Sequence, residues 1–335
     1  MLQEDVVILR PAHTQRLMPW AVQGLKIAIS GGLLWLLFSR IDVMRFWEAA
    51  RQASMTWLGI ALVAYTSVVL ASSWRWHQLL AMQNVRIRRR TVTQSFLVSL
   101  FFNNFLPSNI GGDVIRVRDT ARAAGSHTRA FTVIVADRVA GLLALMTFAA
   151  GGGAVAATAR LPFSVIWIWL ALAAGLGGTV LALLVPSLLA RALASIGLAQ
   201  SWAGRQIVGF VESAENFRLA PARLIGTLLM SLFIQGAFIG VYAAMAKALG
   251  VPVGFVQLAL IVPLAGLIQL LPISINGFGI REATFTLLFG RFGVGPDAAL
   301  LVSLEATVLM LAFSLLGAAV YILRANESQS AETGA

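Results

Sequence analysis

Apolar residues fall along the chain in eight blocks, at roughly 20–38, 55–73, 91–106, 130–157, 163–185, 224–249, 255–271 and 298–323. Most of the charge lies in the stretches between them. A helix needs about 20 mainly apolar residues to cross the hydrocarbon core of a bilayer. Six of the blocks reach that length and predict full spans. The third and seventh are shorter, and each runs directly into a stretch rich in Pro and Gly. Residues 39–54 carry Ile41, Met44, Phe46 and Trp47 among charges, and residues 187–223 mix Leu, Ile and Phe with Arg and Glu. Both patterns predict helices lying along a membrane surface. Residues 325–335 are small and polar and predict a disordered tail. A single membrane domain, 20–324, follows an N-terminal segment, 1–19, and divides into halves at about 20–157 and 163–323. The Gly151 to Gly153 run reads as a loose helix end, and the pair Gly236 and Gly240 as a close helix contact.

The two Pro/Gly stretches are built on one template. LPSNIGGDVIR occupies 106–116 and LPISINGFGIR occupies 271–281. In each, a Gly (Gly112, Gly277) follows the Pro (Pro107, Pro272) by five positions, and Ile-Arg follows it by eight and nine. Paired interruptions in corresponding positions of two apolar halves point to a transport site. Pro removes a backbone donor and clashes with the preceding turn, so the incoming half-helix ends there. Gly111, Gly112 and Gly277 let the backbone turn and approach a ligand closely. The outgoing helix then offers N–H groups and the positive end of its dipole. Asn104, Ser108, Asn109, Ser274 and Asn276 add neutral groups, and Arg116 and Arg281 follow about one turn later. Arginine forks onto phosphate oxygens, so these residues are the candidate substrate contacts. Asp113 and Glu282 stand beside the two arginines, while Asp137, Arg138 and Glu305 fall inside apolar blocks, where charge is costly. With Pro107 and Pro272 they are the candidates for gating or coupling. The competing reading is structural: ion pairs that fix each break against a neighbouring helix. Asn103 and Asn104 are expected to satisfy broken backbone.

Composition agrees with a lipid environment. Of 335 residues 59% are hydrophobic and 12% charged, with a mean hydropathy of +0.83. The absence of cysteine removes thiol chemistry and disulfides, and His13, His77 and His127 are too scattered to form a ligand set. No cofactor is expected. The net charge of +11 comes almost wholly from arginine, since Lys26 and Lys247 are the only lysines. These arginines lie between apolar blocks, where topology explains them better than nucleic acid does. The 74–90 stretch carries Arg75, Arg86, Arg88, Arg89 and Arg90, and Arg116, Arg118, Arg122 and Arg129 follow the first template. A crossing third block would put these clusters on opposite sides. A re-entrant hairpin keeps both in the cytoplasm, in line with the excess of positive charge on that side. Three spans then separate the templates, so the second hairpin enters from the opposite face. The expected fold is therefore all-α and polytopic, with about six full spans and two oppositely oriented re-entrant hairpins in an inverted repeat. Both termini are expected in the cytoplasm, and the first block is expected to be a retained span rather than a signal peptide.

FFNNFLPSNIGGDVIRVRD at 101–119, ADRVAGLL at 136–143 and LLPISINGFGIREA at 270–283 resemble the flippase-like membrane domain of lysylphosphatidylglycerol synthases. The resemblance covers about 24–323. It implies a free-standing member of that family, a lipid-translocating protein of the bacterial cytoplasmic membrane, not an enzyme. The soluble aminoacyl-transfer domain of the bifunctional members has no counterpart here, so lysine transfer is not implied. The partner class is a membrane lipid: a phospholipid, a polyprenyl-phosphate-linked lipid or a hopanoid-type lipid. A glycosyltransferase or lipid-synthesis enzyme is a further candidate partner. The alternative is a membrane protein that positions such an enzyme without transporting anything.

Overall fold

The computed structural model describes residues 48, 51–105, 111–155, 166–184, 195, 216–217, 219–270, 277 and 279–333. The first predicted span, nearly all of the 39–54 surface helix and most of 187–223 lie outside the described residues.

All regular structure among the described residues is helical. In chain order the helices are α1 (Met55–Met82), α2 (Arg89–Phe105), α3 (Gly111–Ala124), α4 (His127–Val155), α5 (Ile166–Leu184), α6 (Pro221–Ala248), α7 (Phe255–Gln269), α8 (Ile280–Gly290) and α9 (Pro296–Thr333). Among the described residues, four stretches are long and apolar enough to cross a membrane: Met55–Met82, His127–Ala154, Pro221–Ala248 and Pro296–Arg324. The 17 residues of α2 and 15 of α7 fall short, as their sequence blocks predict, and so do the 14 of α3 and 11 of α8.

One order of elements occurs twice: long helix, short linker, short helix, break, short helix, long helix. Pro272 stands 165 positions after Pro107, and the same displacement carries the starts of α1 to α4 onto those of α6 to α9 within about four residues. The details recur as well. Asn84 ends α1 in the left-handed region (φ 58°), and the Val85 N–H reaches back to the Leu80 carbonyl at 3.0 Å. Gly250 does the same after α6 (φ 65°), with the Val251 N–H on the Ala246 carbonyl at 2.8 Å. Such a cap satisfies carbonyls that the last helical turn leaves unpaired. The linkers that follow, Val-Arg-Ile-Arg at 85–88 and Val-Pro-Val-Gly at 251–254, both turn their first residue inward and their second and fourth outward.

The halves interlock. α1 packs antiparallel on α6, tied by Ser54 N–H to the Ala248 carbonyl (2.9 Å) at one end and Arg75 Nη1 to Ser231 Oγ (2.9 Å) towards the other. α4 packs on α7, and α9 on α2. Each of these last crossings turns on a glycine 45 residues after its template proline. A Cβ on Gly152 would lie 2.6 Å from the Leu260 nitrogen, and one on Gly317 would overlap the Leu97 carbonyl. The Gly151 to Gly153 run thus lies inside α4, where a loose helix end was expected, and Gly152 makes the crossing. Gly236 meets the Phe148 ring at 3.2 Å, but Gly240 has nothing within 4 Å, so only one of that predicted pair is a contact.

Two further expectations change. α9 continues to Thr333, so the 325–333 stretch extends a helix where disorder was expected. Its Ala, Glu and Gln are good helix formers appended to a helix already nucleated by packing. α1 likewise runs through the 74–82 stretch expected to be loop, and Arg75 there is buried at 8% exposure. The reason is the buried face: Ser72, Arg75, Trp76, Leu79 and Leu80 follow the helical period. Meanwhile large apolar residues such as Leu229, Phe233, Leu315 and Leu323 stay exposed on the outer faces of α6 and α9, which suits helices whose solvent is lipid.

Candidate functional site

α2 and α3 fold back on one another across the first break. Ser95 Oγ donates to Asp119 Oδ2 at 2.8 Å along the hairpin, and the Gly112 N–H donates to Asn103 Oδ1 at 2.8 Å next to the break. A Cβ on Gly112 would overlap the Ser99 carbonyl and the Asn103 amide, so the glycine allows the close approach. Asn103 therefore satisfies broken backbone as expected. Asn104 is partly buried in the last turn of α2. Pro107, Ser108 and Asn109 lie outside the described residues.

Arg116, one turn into α3, is buried at 5% exposure. Its Nη2 bonds Asp137 Oδ2 of α4 at 3.0 Å, and its Nη1 lies 3.6 Å from Asp113 Oδ1. Asp137 Oδ1 takes Arg75 Nε of α1 at 2.8 Å. Arg138 pairs with Asp113 from the more open side. The guanidinium of Arg116 also lies over the Trp76 ring, 4.3 Å from its centroid, with Phe96 at 5.4 Å. Three arginines and two aspartates thus form one connected network spanning α1, α3 and α4, and Arg75 extends it to α6 through Ser231. Two buried N–H groups there, Arg116 Nε and Trp76 Nε1, have no partner among the described residues.

The second break repeats the plan with less charge. A Cβ on Gly277 (φ 76°) would meet the Gln269 side chain at 2.5 Å, as Gly112 meets Asn103. Arg281 is buried, and its Nε and Nη2 both donate to Glu282 Oε1, at 3.0 and 2.9 Å. Glu282 is fully buried; its Oε2 accepts the Gly279 N–H at 2.7 Å and its Oε1 a longer contact from Ser303 Oγ at 3.4 Å. A carboxylate at a helix N-terminus complements both the free N–H groups and the dipole. Tyr242 of α6 shares a hydrogen bond with Arg281 through its hydroxyl, where Trp76 offers Arg116 its ring face. Glu305 on α9 is partly buried, and its Oε2 has no partner among the described residues. Pro272, Ser274 and Asn276 lie outside the described residues.

The tips therefore differ from the sequence expectation in one respect. The N–H of Gly112 is taken by Asn103 and that of Gly279 by Glu282, and both arginines already hold carboxylates. Arg75, Trp76, Tyr242, Gln269 and Ser303 were not among the predicted site residues. Only Arg75 carried a sequence signal, as a charge flanked by two tryptophans within a continuing helical pattern. No group of acidic, His or Cys residues suited to a metal ion occurs among the described residues.

The family model described as "Lysylphosphatidylglycerol synthase TM region" matches residues 23–318. The chain belongs to that family. It is also similar to the UPF0104 membrane protein PH1989 of Pyrococcus horikoshii, 24% identical over 315 residues, which cover 86% of this chain and 92% of that protein. The match takes in both breaks, both buried arginines and every helix from α1 to α8. The protein is thus a polytopic α-helical membrane protein of this family.

Proposed function

We propose that the protein moves a lipid with a phosphate-containing or glycosylated headgroup between leaflets, with the two breaks as paired gates of an inverted repeat. The observation that carries this reading is the antiparallel packing of α1 on α6, the two helices related by the 165-residue displacement. Two copies of one motif that run in opposite directions through a membrane are related by an axis in its plane, the symmetry on which many transporters alternate. The breaks are then re-entrant hairpins that enter from opposite faces of the cytoplasmic membrane, with both chain termini inside.

In this reading the buried arginines are held in the empty state by the protein's own carboxylates. A lipid phosphate entering either break competes for the guanidinium forks and releases Asp137 or Glu282, which loosens the packing of the hairpin. The two unpartnered N–H groups near Arg116 give an arriving anion further donors. A recess of about 390 Å³ between α4, α6 and α7, lined by Phe148, Leu232, Phe255 and Val256, suits an acyl chain that stays in the bilayer while the headgroup moves. Transport then depends on two end states within a few kcal/mol of each other.

The test is translocation of fluorescent phospholipid by the purified protein in liposomes, read as the fraction of label exposed to an impermeant quencher. The expected result is faster exposure than in empty liposomes, lost in Arg116→Gln and Arg281→Gln proteins that still elute as folded species. Equal rates with and without protein, across phosphatidylglycerol and a polyprenyl-phosphate lipid, would overturn the transport reading in favour of an enzyme-positioning partner.

A further inference from the structure

Outside the breaks, a basic concave surface lies where the α1–α2 linker meets the start of α6. A cavity of about 540 Å³ opens there, lined by His77, Asn84, Arg86, Arg88 and Arg223 with no carboxylate among its described lining residues. That volume is in the range of small-molecule sites. Arg86 and Arg88 are exposed, while Val85 between them and α1 is buried and Ile87 half-buried. This alternation places both guanidinium stems on one side of the linker. Arg223 comes from the first turn of α6, more than 130 positions away in sequence. The His77 Nε2–H donates to the Ile87 carbonyl at 3.2 Å and holds the linker against α1.

The other half shows that the fold does not need these charges. The equivalent linker after α6 makes the same cap and the same in-out alternation with Pro252 and Gly254 at the outward positions. Three arginines from two distant segments line one cavity, with no acid among its described lining residues, and create a positive potential that a phosphate can relieve by forked hydrogen bonds. We propose that this cavity binds a phosphate-bearing anion, at a site separate from the two helix breaks. A phospholipid headgroup from the adjacent leaflet and a free phosphate anion present the same chemistry to it. The proposal does not depend on lipid transport, because it concerns binding alone.

The test uses the purified full chain in detergent and two probes: dioleoylphosphatidylglycerol, titrated by native mass spectrometry, and inorganic phosphate, titrated by calorimetry. The pocket variant is Arg86→Gln with Arg88→Gln and Arg223→Gln. The control, Arg89→Gln with Arg90→Gln and Arg122→Gln, removes equal charge from exposed positions outside the cavity. The pocket variant is expected to weaken the bound probe at least about tenfold, and the control less than about twofold, since forked contacts are worth more than a diffuse field. Replacement of the three pocket arginines by Lys is expected to restore only part of the affinity. Displacement of the lipid by millimolar phosphate assigns the site to phosphate in general; lipid binding that resists phosphate assigns it to a headgroup. Equal losses in pocket and control variants, or no binding of either probe by the native protein, would overturn the proposal. Lipid binding intact in every variant would overturn it too. Absence of translocation by the native protein in liposomes, with binding intact, would count against the transport reading alone.

Discussion

At the first break, three arginines and two aspartates drawn from α1, α3 and α4 share one network, whereas at the second a single arginine closes on the glutamate next to it in sequence. The geometry around them is otherwise alike: a glycine pressed on an amide side chain, a buried arginine one turn on, and an aromatic from the preceding long helix. The difference is one of assembly. The Arg281–Glu282 pair and its cap on Gly279 can form as soon as the first turn of α8 forms. The Asp137 network exists only when three helices are docked, and through Ser231 it ties the first half to the second. Changes at the first break should therefore spread through the bundle, and changes at the second should stay local.

Several measurements can break or sharpen that comparison. The largest expected effect is all-or-none and concerns orientation. The chain has no cysteine, so Arg122→Cys and Arg291→Cys report on the ends of α3 and α8 without background. In intact cells an impermeant thiol reagent is expected to label position 291 and not 122; labelling of both ends the inverted-repeat model, and labelling of 122 alone reverses its orientation in the membrane.

Next in size is the removal of a buried counter-charge. Asp137→Ala strands Arg75 and Arg116 together and is expected to cost about 3–5 kcal/mol, seen as a marked drop in detergent-solubilised thermal stability. Glu282→Ala strands one arginine and should cost less. A larger loss at Glu282 than at Asp137 would reverse the contrast between the breaks. Arg75→Met together with Asp137→Leu should recover part of the stability, because it removes both members of one contact.

The crossings come third. Gly152→Ala and Gly317→Ala each drive a methyl group into backbone, with an expected cost of about 1–3 kcal/mol. Gly240→Ala meets open space and is expected to stabilise by about 0.5–1 kcal/mol, since alanine replaces glycine inside a helix. Trp76→Leu loses the ring face under Arg116 and part of a fully buried volume, at an expected cost of about 1–3 kcal/mol, so Gly240→Ala is the smallest effect of the series.

Much of this architecture was legible in the chain. The short third and seventh blocks became the short helices α2 and α7, because a length limit is a property of sequence alone. The shared template marked both breaks and placed Arg116 and Arg281 in equivalent, buried positions. Asp137, Arg138 and Asp113 were visible as charges out of place, and the structural reading of them holds to the extent that they pair with the break. Arg75 was misplaced because a run of arginines nearby made the end of α1 look like loop. Gly151 to Gly153 was misplaced because glycine marks loose ends and tight crossings equally, and only a partner helix tells the two apart.

The sequence by itself determined that the chain folds in lipid, which blocks are long enough to cross, where the helices break, and that the two halves share one plan. These are consequences of hydropathy, length and local backbone chemistry, which act on neighbours along the chain. Tertiary structure decided which carboxylate each arginine meets, that Trp76 and Tyr242 stand behind them, and that Gly152 and Gly317 carry the crossings. It also brought Arg223 to the linker of α1, more than 130 positions away. Ion pairs, ring contacts and close approaches are fixed by which helix faces which. That choice is made by packing over the whole bundle, between residues whose separation in sequence carries no trace of it.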